Sequence, residues 1–439
     1  MENKPFAFWN KIFGSFVFFI ALLTYWLTVE PTASFWDAGE YISTAAKLQV
    51  GHPPGAPLFQ MIGAFFALFA SNAEKVALMV NLMSVFSSAF TILFLFFTIT
   101  LLFDKLFNFE SYKSLVDKLC FFGSASVGAL ALCFSDSFWF NAVEAEVYAM
   151  ATLILSILFY LALKWEKEMN TPRGDRWLLL IAFVIGLSFG VHFMGLLTIP
   201  AIGMLYYFKN YKVITLKGFI IANFISTAIL LFIFKLLLPL TLSFFGNAEV
   251  YVVNEIGLPF NSGTIIAAII IISFFYFSLK YTTSKKWVNT NTGLLCILFV
   301  LLGFSSWIMI PIRANANTVI NENSPSDARL LLAYYNLEQY PETKLFYGPF
   351  FSDMYVGQDN DNPYKDDKPK YERDEKSNKY IIVNNWENAR INSNSEQSGF
   401  LPRLWSTEHA GNYMNFTKPL DFQINTQYRS NEDLVSRVN

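Results

Sequence analysis

Phe13-Gly-Ser-Phe-Val-Phe-Phe-Ile-Ala-Leu-Leu-Thr-Tyr-Trp-Leu-Thr-Val29 contains no charged residue. As a helix it covers about 25 Å, close to the hydrocarbon thickness of a bilayer. Lys4 and Lys11 precede it and Glu30 follows it, with no small-residue cleavage site before that glutamate, so it reads as a span and not as a cleaved signal peptide. Comparable runs recur near 76–103, 119–135, 147–163, 218–242, 262–280 and 293–311. Of 439 residues, 54% are hydrophobic and only 15% charged, against about 25% charged in an average soluble domain. The fold class is therefore an all-α polytopic membrane protein. Cys120, Cys133 and Cys296 all fall in these runs and read as small apolar packing residues, not disulfides or metal ligands.

Lysine and arginine set the topology, because short cytoplasmic loops collect them. Lys4 and Lys11 come first, then Lys105, Lys113 and Lys118, then Lys164, Lys167, Arg173 and Arg176. Lys209, Lys212 and Lys217 follow, and finally Lys280, Lys285 and Lys286. The connections around 136–146 and 241–261 contain neither residue. The N-terminus is thus expected in the cytoplasm. The stretch 176–210 is basic at both ends, so it is expected to cross twice, with His192 near its outer apex. That makes about nine spans. The shorter apolar segment 58–71 is expected to be interfacial or re-entrant. Residues 1–311 form the expected transmembrane domain, with a first outer loop at 30–75. Residues 312–439 form an expected small outward-facing domain of α+β type, in which 359–379 is a highly charged, solvated run.

The first outer loop carries Phe35-Trp-Asp37-Ala-Gly-Glu40-Tyr41 and then Gly51-His52-Pro53-Pro54-Gly55. If 36–48 is a short helix, Asp37 and Glu40 lie three residues apart on one face. Two carboxylates so placed can divide labour, one activating an acceptor and the other tuning it. The prolines then stop the helix and hold His52 at the membrane surface. The competing reading makes Asp37 a helix cap and Glu40 a solvated residue.

An acid pair just after the first span, followed by His-Pro-Pro, resembles the pattern of the GT-C glycosyltransferases, especially the protein O-mannosyltransferases. The run Phe35–Leu58 looks like a bacterial membrane family common in Bacteroidetes and related to a eukaryotic endoplasmic-reticulum O-mannosyltransferase. Ile320-Asn-Glu-Asn-Ser-Pro325, Tyr334 through Gly348, and Phe400-Leu-Pro-Arg-Leu-Trp405 with His409 are similar to it too. The resemblance implies a GT-C-like fold and sugar transfer from a polyprenyl-phosphate carrier on the outer face, with Asp37 as the catalytic acid and Glu40 as its neighbour. Members of the bacterial family are often much longer than this chain.

Other residues invite binding roles. Phe138-Trp-Phe-Asn141-Ala-Val-Glu144-Ala-Glu146-Val-Tyr148 puts Asn141 and two further acids at the same surface, for acceptor hydroxyls or for capping the next helix. Their spacing is not that of a recognisable metal site, and no metal is assigned. His192 is either a site residue or a hydrogen-bonded packing histidine. Lys235 interrupts the apolar run 230–240, where an ionisable group calls for a partner. A lipid phosphate suits it, and snorkelling is the alternative. Arg313 suits the same phosphate or an interfacial anchor.

The expected activity is transfer of a sugar, by the resemblance mannose, from a polyprenyl-phosphate donor to Ser/Thr of exported proteins. The expected setting is a bacterial inner membrane with the working face toward the periplasm, membrane lipids as partners and no nucleic acid. A transporter or flippase is the alternative, although no inverted repeat or set of midplane charges supports it. A glycan polymerase or ligase is the other.

Overall fold

The computed structural model describes residues 5–112, 114–340, 346–351, 359, 361–395, 398–401, 404, 406 and 409–417. Lys4, Lys113, residues 341–345, Asn360, Pro402, Arg403 and Trp405, which enter the sequence argument, lie outside them. In chain order the helices are α1 (Phe6–Leu27), α2 (Ala38–Ala46), α3 (Pro57–Ala67), α4 (Val76–Phe107), α5 (Leu115–Cys133), α6 (Asp136–Ala142), α7 (Val147–Glu168) and α8 (Asp175–Ser188). They continue as α9 (Thr198–Asn210), α10 (Leu216–Leu231), α11 (Leu238–Tyr251), α12 (Ser262–Ser284), α13 (Val288–Phe304), α14 (Met309–Ala314) and α15 (Ala328–Tyr335).

Among the described residues, seven helical stretches are long and apolar enough to cross a membrane. The two expected crossings within 176–210 are shorter, 14 residues in α8 and 13 in α9, or roughly 20 Å each. Their junction is drawn into the packing: a Cβ on Gly190 would lie 2.8 Å from Leu58 Cβ and 2.6 Å from Ser306 Oγ. The expected long helix at 218–242 does not stop there. It runs from Leu216 to Ile256, with π-helical turns at Phe232–Leu237 and Val252–Ile256. Pro239 follows the first π-helical turn and does not end the helix, which stops at Gly257, whose φ of +80° makes the left-handed end that glycine accepts. The segment 58–71 forms α3, only 11 residues long.

Two hydrophobic cores hold these helices. One joins α1, α4 and α5 through Val17, Tyr25, Ile92, Phe96 and Phe122, with the Tyr25 hydroxyl donating to the Cys133 carbonyl at 2.9 Å. The other gathers α2, α3, α7, α8, α11, α13 and α15 around Phe59, Leu158, Ile181, Phe189 and Trp307. Between α8 and α13 the approach is closest at Gly186 and Gly303, where a Cβ on either would overlap the facing backbone. Small residues permit such contact in membranes, where the lipid supplies no hydrophobic drive between helices. The connections sort by charge. Lys105 and Lys209 both reach Glu166, at 3.2 and 3.6 Å, whereas the acidic connections meet one another as described below.

Two compact units result. The first comprises Met1–Leu337 with Asp374–Tyr380, and so takes in α14 and α15. Within it Glu249 is fully buried. It accepts hydrogen bonds from the Asn261 and Thr264 backbones, at 2.5 and 2.8 Å, fastening the start of α12. The second unit comprises Glu338–Arg373 and Ile381–Asn439. It carries short antiparallel pairs, Tyr347–Pro349 with Ser398–Phe400 and Tyr364–Lys365 with Arg390–Ile391, and a helix at Ala410–Thr417.

Candidate active site

The loop after α1 is pinned from several sides. Asn81 of α4, almost fully buried, donates to the carbonyls of Glu30 and Thr32 at 2.7 and 2.9 Å. The Glu30 N–H donates to the Val143 carbonyl at 3.0 Å, and the Ser34 hydroxyl to Glu144 at 2.5 Å. Trp36 then takes a φ of +59°, costly for an aromatic residue, and leads straight into Asp37. Helix α2 begins at the next residue and buries Ala38, Ile42 and Ala45 on one stripe.

Asp37 occupies the N-cap position of α2, yet its side chain makes no capping hydrogen bond and stays 59% exposed. The cap reading therefore does not account for it. One turn on, Glu40 is held twice by one residue: its Oε1 accepts the His52 backbone N–H at 2.7 Å, and its Oε2 meets His52 Nδ1 at 2.8 Å. The far nitrogen of the ring, Nε2, lies 4.0 Å from Asp37 Oδ2. The imidazole thus sits between two carboxylates, with Glu322 a third nearby charge. The bond to Glu40 raises the His52 pKa above its ordinary value and lowers that of Glu40. The contact favours the imidazolium–carboxylate form of the pair.

The turn that delivers His52 is set by distant residues. Gly51 leaves room for Glu40, because a Cβ there would lie 2.6 Å from Glu40 Oε1 and displace the carboxylate. The Tyr334 hydroxyl of α15 donates to the Gly51 carbonyl at 2.6 Å. Val50 pairs with the 320–322 segment: its N–H donates to Ile320 and its carbonyl accepts from Glu322, each at 3.1 Å. Arg313 donates to the carbonyls of Leu48 and Lys47 at 2.5 and 3.0 Å, clasping the C-terminal end of α2. Two of its five donors are thereby committed to backbone, which gives it a positioning task.

Glu144 and Glu146 come to the same place. Both are buried, and the Asp37 backbone N–H donates to the Glu146 carboxylate. Burial first, then the charges of Asp37 and Glu144, push the Glu146 pKa up to about 7. Burial raises Glu144 as well. The sign for Glu146 is opposite to that for Glu40. A raised carboxyl binds more protons folded than unfolded, so its contribution is lost as pH rises from about 4.5 to 7. Glu146→Gln removes this penalty. Its melting temperature relative to the parent protein is expected to improve steadily between pH 5 and 8, and parallel pH profiles would contradict the assignment.

The remaining candidates are distributed differently. Asn141 donates to the Ser137 carbonyl of its own helix at 2.9 Å. His192 accepts the Met194 N–H through Nδ1 at 3.2 Å, and burial lowers its pKa. Its ring packs on Tyr148, with centroids 5.4 Å apart. Lys235 lies in the first π-helical turn, exposed, its ammonium 4.8 Å from the Phe234 ring. Rings link it onward, Phe234 to Phe193 at 5.3 Å and Phe193 to His192 at 6.3 Å. Among the described residues no three His, Cys, Asp or Glu side chains are grouped to hold a metal ion. Sequence reading missed Ser34, Gln60 and Asn81, and gave no role to Gly51 and Tyr334, which stand in stretches it had singled out.

Residues 37–215 match the family described as the N-terminal domain of the protein O-mannosyl-transferase TMEM260, and residues 341–432 match a family of unknown function, DUF8416. Over 162 residues, 37% of this chain, it is 26% identical to "Protein O-mannosyl-transferase tmem260" of Dictyostelium discoideum. Over 176 residues, 39% of the chain, it is 28% identical to "Protein O-mannosyl-transferase TMEM260" of Mus musculus. These alignments cover 18% and 22% of those relatives, about a fifth of their length. No solved structure matches. The family match opens at Asp37 and contains Glu40, His52, Glu144, Glu146 and His192, whereas Lys235 and Arg313 lie beyond it. These similarities support an O-mannosyltransferase-like family.

Proposed function

We propose that this chain is a GT-C-type membrane glycosyltransferase that moves a hexosyl group, mannose by analogy with the relatives' names, from a polyprenyl-phosphate donor to Ser or Thr of an exported protein. The observation that carries the proposal is Asp37: an exposed carboxylate without a capping bond, beside an ion-paired histidine, in the stretch that resembles O-mannosyl-transferases. Asp37 takes the hydroxyl proton as the acceptor oxygen attacks the anomeric carbon. The bond from that carbon to the phosphate oxygen breaks, and the lipid phosphate leaves with the electron pair. This single displacement inverts the sugar's configuration. Positioning and neutralisation of the leaving phosphate supply much of the rate. Lys235 is the cation proposed for that phosphate, since π-helical turns often mark functional sites and aromatic rings lead from it toward the acid cluster. The alternation of basic and non-basic connections supports a cytoplasmic N-terminus with the acid cluster outside. A bacterial inner membrane, with that cluster facing the periplasm, is the proposed location.

The test is transfer from polyprenyl-phosphate-[³H]mannose in membranes containing the protein, followed by separation of labelled protein from labelled lipid. Label on protein Ser or Thr is expected, with Lys235→Ala requiring about tenfold more donor, the loss of one charge-assisted phosphate contact. Membranes that hold folded protein but transfer no hexose from any polyprenyl-linked donor would overturn the reading.

A further inference from the structure

Behind the Glu40–His52 pair lies a cavity of about 10 Å³, bounded by Glu40, Gly51, His52, Gln60, Ile310 and Tyr334. That is about the space one water molecule occupies, and cavities that remain dry are lined by apolar groups. This one has a carboxylate, an imidazole, a primary amide and a phenol on its wall. Gln60 projects from α3, is only 4% exposed, and its Oε1 is sealed from solvent without a hydrogen-bond partner in the protein. A buried amide oxygen is rarely left so, because the water it gave up on folding is not replaced. Glu40 has capacity to spare. Each of its oxygens accepts one bond from His52 and retains a second lone pair.

We infer that this cavity binds a single water molecule, which donates one hydrogen bond to Gln60 Oε1 and the other to the Glu40 carboxylate. Gln60 is thereby a positioning residue for the Glu40–His52 pair, acting through the water and touching no substrate. A third donor on Glu40 keeps it anionic and fixed, and a fixed Glu40 directs His52 Nε2 toward Asp37. The inference deepens the proposed function, since its catalytic consequence rests on that reading, but the water and its effect on His52 do not.

The chain contains three histidines, so a [¹³C]histidine-labelled sample of the full chain in detergent gives a histidine spectrum simple enough to titrate residue by residue. Gln60→Met keeps the side chain's length and removes the amide. Its His52 midpoint is expected to fall by about half a pH unit or more, a roughly threefold change in protonation equilibrium, because an untethered Glu40 no longer holds its short contact with His52 Nδ1. Gln60→Asn retains an amide and a cavity wide enough for water, and is expected to stay near the parent midpoint. An experimental density map should show the water between Gln60 and Glu40. An unchanged His52 midpoint in folded Gln60→Met would overturn the inference. So would a map in which the Gln60 amide bonds a protein atom and the cavity holds no water. Should Gln60→Met fail to fold, a Gln60→Asn midpoint shifted by half a unit would overturn it equally. Absence of sugar transfer by the parent protein would count against the proposed function alone and leave these readouts intact.

Discussion

Asp37→Asn is expected to lose sugar transfer by about 10³-fold, within the 10²–10⁴ range that a positioned acid–base group contributes. The same protein is expected to fold and insert normally. Asparagine is as good an N-cap residue as aspartate, so α2 loses nothing at its start. The carboxylate makes no capping bond to give up, and its nearest charged partner, His52 Nε2, is 4.0 Å away and already paired with Glu40 on its other side. The substitution therefore removes a proton acceptor and little else. The decisive measurement is turnover of labelled donor by purified variant and parent proteins of equal melting temperature. Normal turnover by a folded Asp37→Asn protein would sink the assignment of the base, and with it the mechanism proposed.

Gly51→Ala carries the second large effect, by steric means. The glycine does not have a positive φ, so alanine meets no backbone strain there. Its Cβ would instead arrive 2.6 Å from Glu40 Oε1, inside contact distance, and the movable end of that contact is the carboxylate. Glu40 swings away, and both bonds to His52 are lost together. Transfer is expected to fall by about tenfold or more, one charge-assisted contact or its equivalent in positioning. The stability profile should change shape as well. In the parent protein, His52 has a raised pKa, so its contribution is full below about 6.5 and fades as pH rises through the folded value. Glu40 has a lowered pKa, so its contribution is full above about 4.5 and fades as pH falls through the folded value. The pair is therefore worth most between about pH 4.5 and 6.5. Melting temperatures taken across that window should show a hump in the parent and a flatter curve in Gly51→Ala. Two superimposable curves would mean that the pair survives the methyl group.

How much of this was legible in the sequence differs from residue to residue. Long apolar runs have one physical solution in a bilayer, and seven of them became long helices, six with ends within about seven residues of the runs. The limits of such reading appear where a breaker fails to break. Pro239 lies inside the helix Leu216–Ile256, just after a π-helical turn, without ending it, so hydropathy windows did not locate its end. In the stretch 176–210 the basic ends told of a turn near His192, whereas the close packing of Gly190 against Leu58 and Ser306 is visible only in the fold. Within the site, Asp37, Glu40 and His52 were readable together because they lie within sixteen residues and the prolines bracket them. Tyr334 and the 320–322 segment, nearly 300 residues away, meet that loop only through the fold. Arg313 was readable as a cation beyond the last span, whereas its bonds to the carbonyls at the end of α2 come only from the fold.

The unbroken segment Leu216–Ile256 measures about 60 Å along its axis, twice the hydrocarbon thickness it has to cross. It is in effect a lever, and its first fulcrum is the π-helical turn that carries Lys235. From that turn to Ile256 the arm is about 30 Å long, so a tilt of roughly 10° there sweeps the far end through about 5 Å. Asn254, near that end, grips the Tyr380 backbone by two hydrogen bonds of 2.8 Å each. A tilt at the base of the arm would therefore be felt at that grip.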